Sequence, residues 1–259
     1  MQFGIQMYTL RRTMDTLENF EKTLRRVSEL GYENVQISPQ PYISTEDMAK
    51  MLKKYHLKAD SYLCDVYQIP NRIDEITKAC KTLGTDVCRT NSIRLEDRCS
   101  VEGYRSFAEQ LNRDGRCLKE KGLKFMYHFH SFEFVKLGDT TGMDILLRET
   151  DTDSVMFQPD VFWLVSAGFE PSSALEMFRG RAAYIHLKDY VIVPKSSEIL
   201  EETTCASAPV GTGNLNWEKI IEKAKDIGIT NFVVEDDMGA LDPFDSAAQS
   251  IQSMKRWHF

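Results

Sequence analysis

Residues 123–134 read LKFMYHFHSFEF, and this stretch decides how the rest of the chain is interpreted. Its first part is mostly apolar and predicts a buried strand. The strand is followed by two histidines, His128 and His130, and then by Glu133. Imidazole and carboxylate groups that gather where a strand ends are typical of a functional site rather than of a hydrophobic core.

Three later apolar runs end in similar chemistry. VMFQPD ends at Asp160, AYIHLKD contains His186, and FVVEDD contains Glu235. Each of these residues also has a plain structural explanation, as a helix N-cap, a hydrogen-bonded core histidine or a solvated strand end. Glu133 is a fourth such residue. It is much less probable that all four have purely structural roles at matching strand ends than that one of them does. We therefore expect a shared site.

Strands and helices alternate along the whole chain. A helix, a glycine and a short apolar strand recur in SELGYENVQI (28–37), KTLGTDVCRT (81–90), KEKGLKFMYH (119–128) and DIGITNFVVE (226–235). Such alternation implies a parallel sheet with right-handed crossovers. Eight strand–helix units indicate an α/β protein whose residues 1–259 form a single (β/α)8 TIM-barrel domain. The alternative is an open doubly wound sheet, but no Gly-x-Gly-x-x-Gly opens the first helix. The first helix is predicted to begin at Asp15. Residues 189–215 are predicted to form an irregular loop. The eight strands are predicted near residues 3–8, 32–37, 57–63, 86–90, 123–127, 155–158, 182–187 and 231–235.

In a TIM barrel the active site lies at the carboxyl ends of the strands, so the four side chains above would converge on one side of the mouth. Three carboxylates and one imidazole form an oxygen-rich set, which suits Mn²⁺, Mg²⁺ or Co²⁺ better than a structural zinc. Polar side chains from the other strand ends would form the opposite wall and suit a polyhydroxylated ligand. Arg89, His128 and Lys188 also have structural alternatives, as partners of internal carboxylates or as a buried histidine. The predicted substrate-binding residues are Gln6, Tyr8, Arg89, His128, His130 and Lys188.

The composition argues against several classes of protein. The net charge is −7 and no marked cluster of basic residues stands out, which argues against a nucleic-acid partner. The six cysteines are scattered and form no Cys-x-x-Cys, which fits a reducing compartment. The chain has no secretory leader pattern, and no apolar stretch approaches the roughly 20 residues needed to span a bilayer. We therefore expect a cytoplasmic protein with no membrane partner, and the sequence leaves open whether it forms a homo-oligomer.

Several motifs carry a resemblance to a known family. GIQMYTLR (4–11) stands beside YHFHSFEF (127–134), DVFW (160–163), HLKD (186–189) and GTGNLNW (211–217). Together these motifs resemble the sugar phosphate isomerase/epimerase family with the xylose-isomerase-like TIM barrel, over nearly the whole chain. The family's Tyr-His-Asn-His-Asp-Phe-Glu-Phe differs from the second motif at two positions, where this chain has a phenylalanine and a serine, and a glutamine stands where the family often has an acidic residue. These departures are Phe129, Ser131 and Gln158.

The resemblance implies both a ligand set and catalytic residues. It implies that Glu133 and Glu235 flank the substrate as an acid/base pair. It also implies one bound divalent metal ion, of a kind the sequence leaves undecided among Mn, Co, Mg and Zn. The implied metal ligands are Glu133, Asp160, His186 and Glu235.

The expected function is that of a divalent-metal-dependent isomerase or epimerase of a sugar, a sugar phosphate or a keto-sugar. Protons would move through a metal-stabilised enediolate. A rival within enzymes is a lyase or dehydratase that uses the same site on a keto-sugar or a 3-keto-glycoside. A rival of another class is a non-catalytic sugar-binding or partner subunit, which the departures at Phe129 and Ser131 keep open. A nuclease on a related barrel would need a histidine-rich three-zinc cluster, and the chain has five histidines in all.

Overall fold

Eight parallel strands form the inner wall of the computed structural model, which describes residues 2–195, 202–237, 239 and 241–257. Their ends lie within one or two residues of the predicted positions. Four further short strands form two separate antiparallel ribbons. In chain order the strands are β1 (Gln2–Gln6), β2 (Asn34–Ile37), β3 (Lys58–Leu63), β4 (Val87–Thr90), β5 (Lys124–His128), β6 (Lys136–Leu137), β7 (Thr140–Thr141), β8 (Met156–Gln158), β9 (Tyr184–Leu187), β10 (Asp189–Pro194), β11 (Thr203–Ala208) and β12 (Asn231–Val234).

The eight-stranded sheet is nearly closed on itself. Its strand order is β8-β5-β4-β3-β2-β1-β12-β9. The two outermost strands meet through a parallel bridge between Asp160 and His186, where the His186 backbone N–H also donates to Pro159 O at 2.8 Å. The predicted (β/α)8 TIM barrel is therefore confirmed, and two of the predicted ligands lie side by side at its seam.

Helices cover the outside of the barrel and return the chain from one strand to the next. Gly31 and Gly84 end two of the longer helices with φ angles of 96° and 75°, a left-handed conformation that glycine adopts at no steric cost. The first helix begins with Thr16 as its N-cap, whose side chain accepts from Asn19 N, and not with the predicted Asp15. None of the helices in the described ranges has the length and apolar character that crossing a membrane requires. The α-helices are α1 (Leu17–Leu30), α2 (Thr45–Lys54), α3 (Ile69–Leu83), α4 (Val101–Glu120), α5 (Gly142–Glu149), α6 (Val161–Ser166), α7 (Pro171–Ala174), α8 (Trp217–Asp226) and α9 (Pro243–Arg256).

The hydrophobic core lies between the strands and the helices. Val35 and Ile185 are fully buried in it, and each is followed by a polar residue, Gln36 or His186. Because side chains alternate along a strand, these two polar residues point into the barrel, where their side chains lie 2.7 Å apart. The strand period thus sends apolar groups to the core and polar groups to the barrel interior.

The segment after β9 is more regular than predicted. Instead of an irregular loop over residues 189–215, β10 and β11 pair as an antiparallel ribbon, so the prediction is wrong for this part. Residues 196–201 of that segment lie outside the described ranges. Asp189, at the start of the ribbon, is 2% exposed and anchors the return of the chain to α8. Its Oδ2 accepts hydrogen bonds from Gly211 N at 3.0 Å, Gly213 N at 2.9 Å and Trp217 Nε1 at 2.6 Å.

We expect Asp189→Ala to lower the free energy of unfolding by about 3 kcal/mol, because three donors lose a buried, charged acceptor at once. Urea denaturation followed by tryptophan fluorescence measures the change. Asp139→Ala, at an exposed position, is the control and should stay within about 0.5 kcal/mol of the wild type. Equal effects of the two substitutions would rule out the anchoring role.

Candidate metal centre

Four buried side chains meet at the carboxyl ends of the strands. His128, Asp160, His186 and Glu235 each offer one ligand atom, and these atoms all lie within 4.8 Å of one another. His186 Nδ1 lies 3.0 Å from Glu235 Oε2 and 3.6 Å from Asp160 Oδ2. His128 Nε2 lies 3.3 Å from the same Asp160 oxygen. We refer to these four residues as the ligand cluster.

The two oxygens of Asp160 have different tasks. Oδ1 accepts from the backbone N–H groups of Phe162 at 3.0 Å and Trp163 at 3.2 Å, and so caps α6. Oδ2 faces the ligand cluster. The two explanations that the sequence allows for Asp160, an N-cap and a ligand, are therefore compatible, since each uses a separate oxygen.

The surroundings of His186 fit a metal ligand. Its Nε2 lies 2.7 Å from Gln36 Oε1, so an Nε2–H would donate there and a neutral ring would turn the Nδ1 lone pair toward the cluster. Among the described residues, His186 Nδ1 and Glu235 Oε2 have no hydrogen-bond partner, although they lie 3.0 Å apart, and Glu235 Oε2 is ion-paired with Lys188 Nζ at 3.0 Å. Buried polar atoms in native proteins are nearly always satisfied, so an imidazole nitrogen that faces a carboxylate oxygen in this way fits a shared divalent cation.

The electrostatic field at His186 also favours a cation. Burial acts to lower the pKa of His186, but the carboxylates of Glu235 and Asp160 outweigh it and raise the pKa overall. The same carboxylates attract a metal ion to the Nδ1 side of the ring. With two imidazoles and two carboxylates, the donor set contains more nitrogen than predicted and suits Zn²⁺, Mn²⁺ or Co²⁺ better than Mg²⁺.

Glu133 lies outside the ligand cluster. Its side chain is fully buried on the single 3₁₀ turn Phe132–Phe134, where Oε1 accepts from Tyr127 OH at 2.5 Å and Oε2 from His130 N at 2.9 Å. Burial raises the pKa of Glu133 to about 8, against the lowering effect of these donors. The structure therefore does not bring Glu133 together with the other three predicted ligands, and its roles as ligand and as acid or base stay predictions.

His128 takes the fourth position instead. The sequence places it among the substrate-binding residues, whereas in the structure its Nε2 belongs to the cluster. Burial and the neighbouring His186 lower the pKa of His128 well below the usual histidine value, so the ring is neutral and free to act as a ligand. The signal for this role was available, because the alternation of His128 and His130 sends both rings toward the interior of the barrel.

A polar cavity of about 290 Å³ opens beside the cluster. All six of the predicted substrate-binding residues line it, together with Glu235 and Asp237. Burial lowers the pKa of His130 to about 4, so this ring is neutral at physiological pH, and it stacks on Phe132 with ring centroids 5.2 Å apart. The six cavity residues that were predicted from the sequence are Gln6, Tyr8, Arg89, His128, His130 and Lys188.

Lys188 is a buried cation in contact with the cluster. Its Nζ lies 3.0 Å from Glu235 Oε2, 3.1 Å from Asp237 Oδ2 and 3.4 Å from Asp160 Oδ2. Burial acts to lower the pKa of Lys188, but these carboxylates outweigh it and raise the pKa. Asp237 was missed at the sequence level, although the acidic run that follows FVV in FVVEDD was the available signal.

None of the three departures from the family motif is among the described residues that line the cavity. Phe129 is fully buried and stacks on Phe178, with ring centroids 5.1 Å apart. Ser131 precedes the 3₁₀ turn that carries Glu133, and Gln158 is fully buried at the end of β8. Since none of the three departures lines the cavity formed by the described residues, they leave the polarity of its wall unchanged.

Comparisons with known proteins agree with the fold. A family described as xylose isomerase-like TIM barrel matches residues 24–257. An inosose dehydratase of Clostridium beijerinckii is 27% identical over 164 residues, which cover 60% of this chain and 54% of that protein. The chain thus spans about half the length of the curated relatives it matches.

Solved structures extend the similarity of fold to the whole chain. A sugar phosphate isomerase/epimerase from Parabacteroides distasonis has a TM-score of 0.78 at 23% identity and covers 98% of this chain and 93% of its own. An L-ribulose 3-epimerase has a TM-score of 0.74 at 12% identity, with 99% and 94% covered. At these identities the likeness is one of fold.

We expect the purified protein to bind about one equivalent of Mn²⁺ or Zn²⁺ per chain after removal of metal and reconstitution. Asp160→Asn and His186→Gln should each lose most of this metal, because each removes a buried ligand atom. Elemental analysis after dialysis provides the measurement. Asp153→Asn, at an exposed position, is the control and should keep its metal. Full metal content in both cluster variants would contradict the assigned centre.

Proposed function

This chain belongs to the xylose isomerase-like TIM barrel family, and from that membership we propose that it is a divalent-metal-dependent isomerase or epimerase of a small keto-carbohydrate. The observation that carries the proposal is the pair of facing ligand atoms, His186 Nδ1 and Glu235 Oε2, which lie 3.0 Å apart beside a polar cavity. The names of the structurally similar sugar phosphate isomerase/epimerase and L-ribulose 3-epimerase support the same reaction class.

The ligand cluster would hold the metal. When bound, a divalent ion supplies Lewis-acid polarisation of the substrate carbonyl, which acidifies the neighbouring C–H bond. The cavity of about 290 Å³ is lined by amide, hydroxyl, imidazole and charged groups, which suits several hydroxyls on a small sugar. Arg89 lines the cavity and is 2% exposed, and its Nε and Nη2 have no hydrogen-bond partner among the described residues, so it has donors to offer an oxygen-rich ligand.

Two side chains on the cavity wall are suited to move a proton. Burial acts to raise the pKa of Glu235, but Lys188 above all outweighs it and lowers the pKa, so this carboxylate is ionised and would hold a transferred proton only weakly. His130 is neutral, and its low pKa means that a proton taken up by the ring is readily returned. We assign Glu235 and His130 as the proton carriers that face the substrate.

Glu133 would act on the reaction through His130. Its Oε2 holds the His130 backbone N–H at 2.9 Å, and Tyr127 OH holds the other oxygen. The carboxylate thus fixes the turn that presents His130 to the cavity. This role differs from the acid or base that the family motif implies for Glu133, and Glu133→Gln separates the two because an amide oxygen can still accept the backbone hydrogen bond.

Dehydration of a keto-carbohydrate is the second candidate, and the similarity to inosose dehydratases favours it specifically. The first step is the same removal of a proton next to the carbonyl. The electron pair of the broken C–H bond then forms a C=C bond while the C–O bond at the β carbon breaks. The departing hydroxide takes a proton and leaves as water. The Lys188 ammonium lines the cavity and is available as the donor for that leaving group.

We expect the metal-loaded protein to exchange the hydrogen next to the carbonyl of its keto-sugar or inosose substrate for deuterium in D₂O, as followed by NMR. Epimer formation would support the isomerase or epimerase, and an unsaturated ketone would support the dehydratase. His130→Asn should slow the exchange by about 10²–10⁴-fold, the usual contribution of a positioned proton carrier.

The matched control is His56→Asn, at an exposed position after α2 where the left-handed φ of 55° suits asparagine. It should leave the exchange rate unchanged. A His130→Asn variant that keeps both its metal and the full exchange rate would remove His130 from the mechanism. Sugar binding without any exchange by the wild type would favour a non-catalytic sugar-binding subunit.

A further inference from the structure

The ammonium of Lys188 occupies the same carboxylate oxygens that the metal would use. We propose that Lys188 and the divalent ion compete for Asp160 and Glu235, and that Asp237 receives the ammonium when the ion binds. This inference rests on the proposed metal centre and assigns a specific task to two residues beside it.

The competition follows from which atoms are shared. Glu235 Oε2 lies 3.0 Å from Lys188 Nζ and 3.0 Å from His186 Nδ1. Asp160 Oδ2 lies 3.4 Å from the same Nζ and 3.6 Å from the same Nδ1. An ion held by these two oxygens and the imidazole would therefore lie within a few ångströms of the ammonium. At such a distance, in a buried site, the repulsion between the two cations is large.

Among the described residues, Lys188 has one carboxylate partner outside the cluster. Asp237 Oδ2 is 3.1 Å from Nζ, and its side chain is 24% exposed, whereas those of Asp160 and Glu235 are 0% and 7% exposed. The Asp237 carbonyl accepts from Arg11 Nη2 at 2.7 Å, which ties this loop to the turn after β1. On another side the Trp163 ring lies 5.0 Å from Nζ and offers a further surface to the charge.

The shift toward Asp237 would have a chemical consequence. Lys188, Asp237 and Glu235 all line the cavity, so an ammonium that leaves the cluster stays on the cavity wall. There it can donate to a substrate oxygen. Metal binding would thus release a proton donor that the metal-free site keeps engaged with its own ligands.

Competition predicts that removing Lys188 and removing the Asp237 carboxylate have opposite effects on metal affinity. Without Lys188 the ion meets no rival cation, so metal binding should tighten. Without the Asp237 carboxylate the partners of the ammonium among the described residues are the two cluster carboxylates, so metal binding should weaken. In the double variant the Asp237 change should lose its effect, because there is no ammonium left to place.

The experiment is isothermal titration of the metal-free protein with MnCl₂. We expect Lys188→Met to lower the Mn²⁺ Kd by about tenfold or more, since removal of a unit charge beside a divalent ion changes the energy by more than a tenfold step in affinity. Asp237→Asn should raise the Kd by about three- to tenfold, and the double variant should match Lys188→Met. Lys188→Arg keeps the rival positive charge, so it should not tighten Mn²⁺ binding as Lys188→Met does.

Thermal denaturation with and without Mn²⁺ separates folding from competition. Lys188→Met should melt below the wild type without metal, because two buried carboxylates lose their counter-ion, and should recover when Mn²⁺ is added. The proposed competition is ruled out if Lys188→Met binds Mn²⁺ no more tightly than the wild type, or if Asp237→Asn binds Mn²⁺ more tightly than the wild type. Failure of the wild type itself to bind either Mn²⁺ or Zn²⁺ would instead overturn the metal centre on which the inference rests.

Discussion

The bridge that closes the barrel is the constraint on which the site depends. β8 and β9 are the two ends of the sheet, and they meet where Asp160 pairs with His186. A sheet left open there would expose unpaired backbone groups along both edge strands. Closure satisfies some of those groups and at the same time brings a carboxylate and an imidazole into contact inside the barrel. Fold and ligand geometry are therefore set by the same backbone pairing.

The fold was predictable because its signals are local and repeated. Each glycine that ends a helix marks where the next strand begins, as at Gly31 and Gly84, and the apolar strands are short and separate. Three cluster residues, Asp160, His186 and Glu235, lie in the strands or directly after them, where strand geometry fixes their direction. The ribbon of β10 and β11 was not predicted, because segments such as TTCASA carry no regular alternation of apolar and polar residues.

Glu133 shows why the rest of the site was harder to predict. It comes five residues after the end of β5, on a single 3₁₀ turn, so its direction depends on the geometry of that turn and not on the strand. The turn directs the carboxylate to Tyr127 OH and the His130 backbone N–H. His128, the last residue of β5 itself, reaches the cluster because the strand still sets its orientation. Sequence patterns place residues on elements well, but they do not determine where a side chain points once the element has ended.

Because the two oxygens of Asp160 have different partners, binding of the proposed ion would be linked to the stability of α6. One oxygen caps α6 and the other belongs to the cluster, so a bound ion and the first turn of α6 share a single side chain. An ion that binds only the folded form adds about 2.7 kcal/mol of stability at one hundred times its dissociation constant. Part of that added stability would come from the first turn of α6, where Phe162 N and Trp163 N donate to Asp160. Loss of the proposed ion would then loosen the first turn of α6, and faster proteolytic nicking near residues 161–166 would be its trace on the protein.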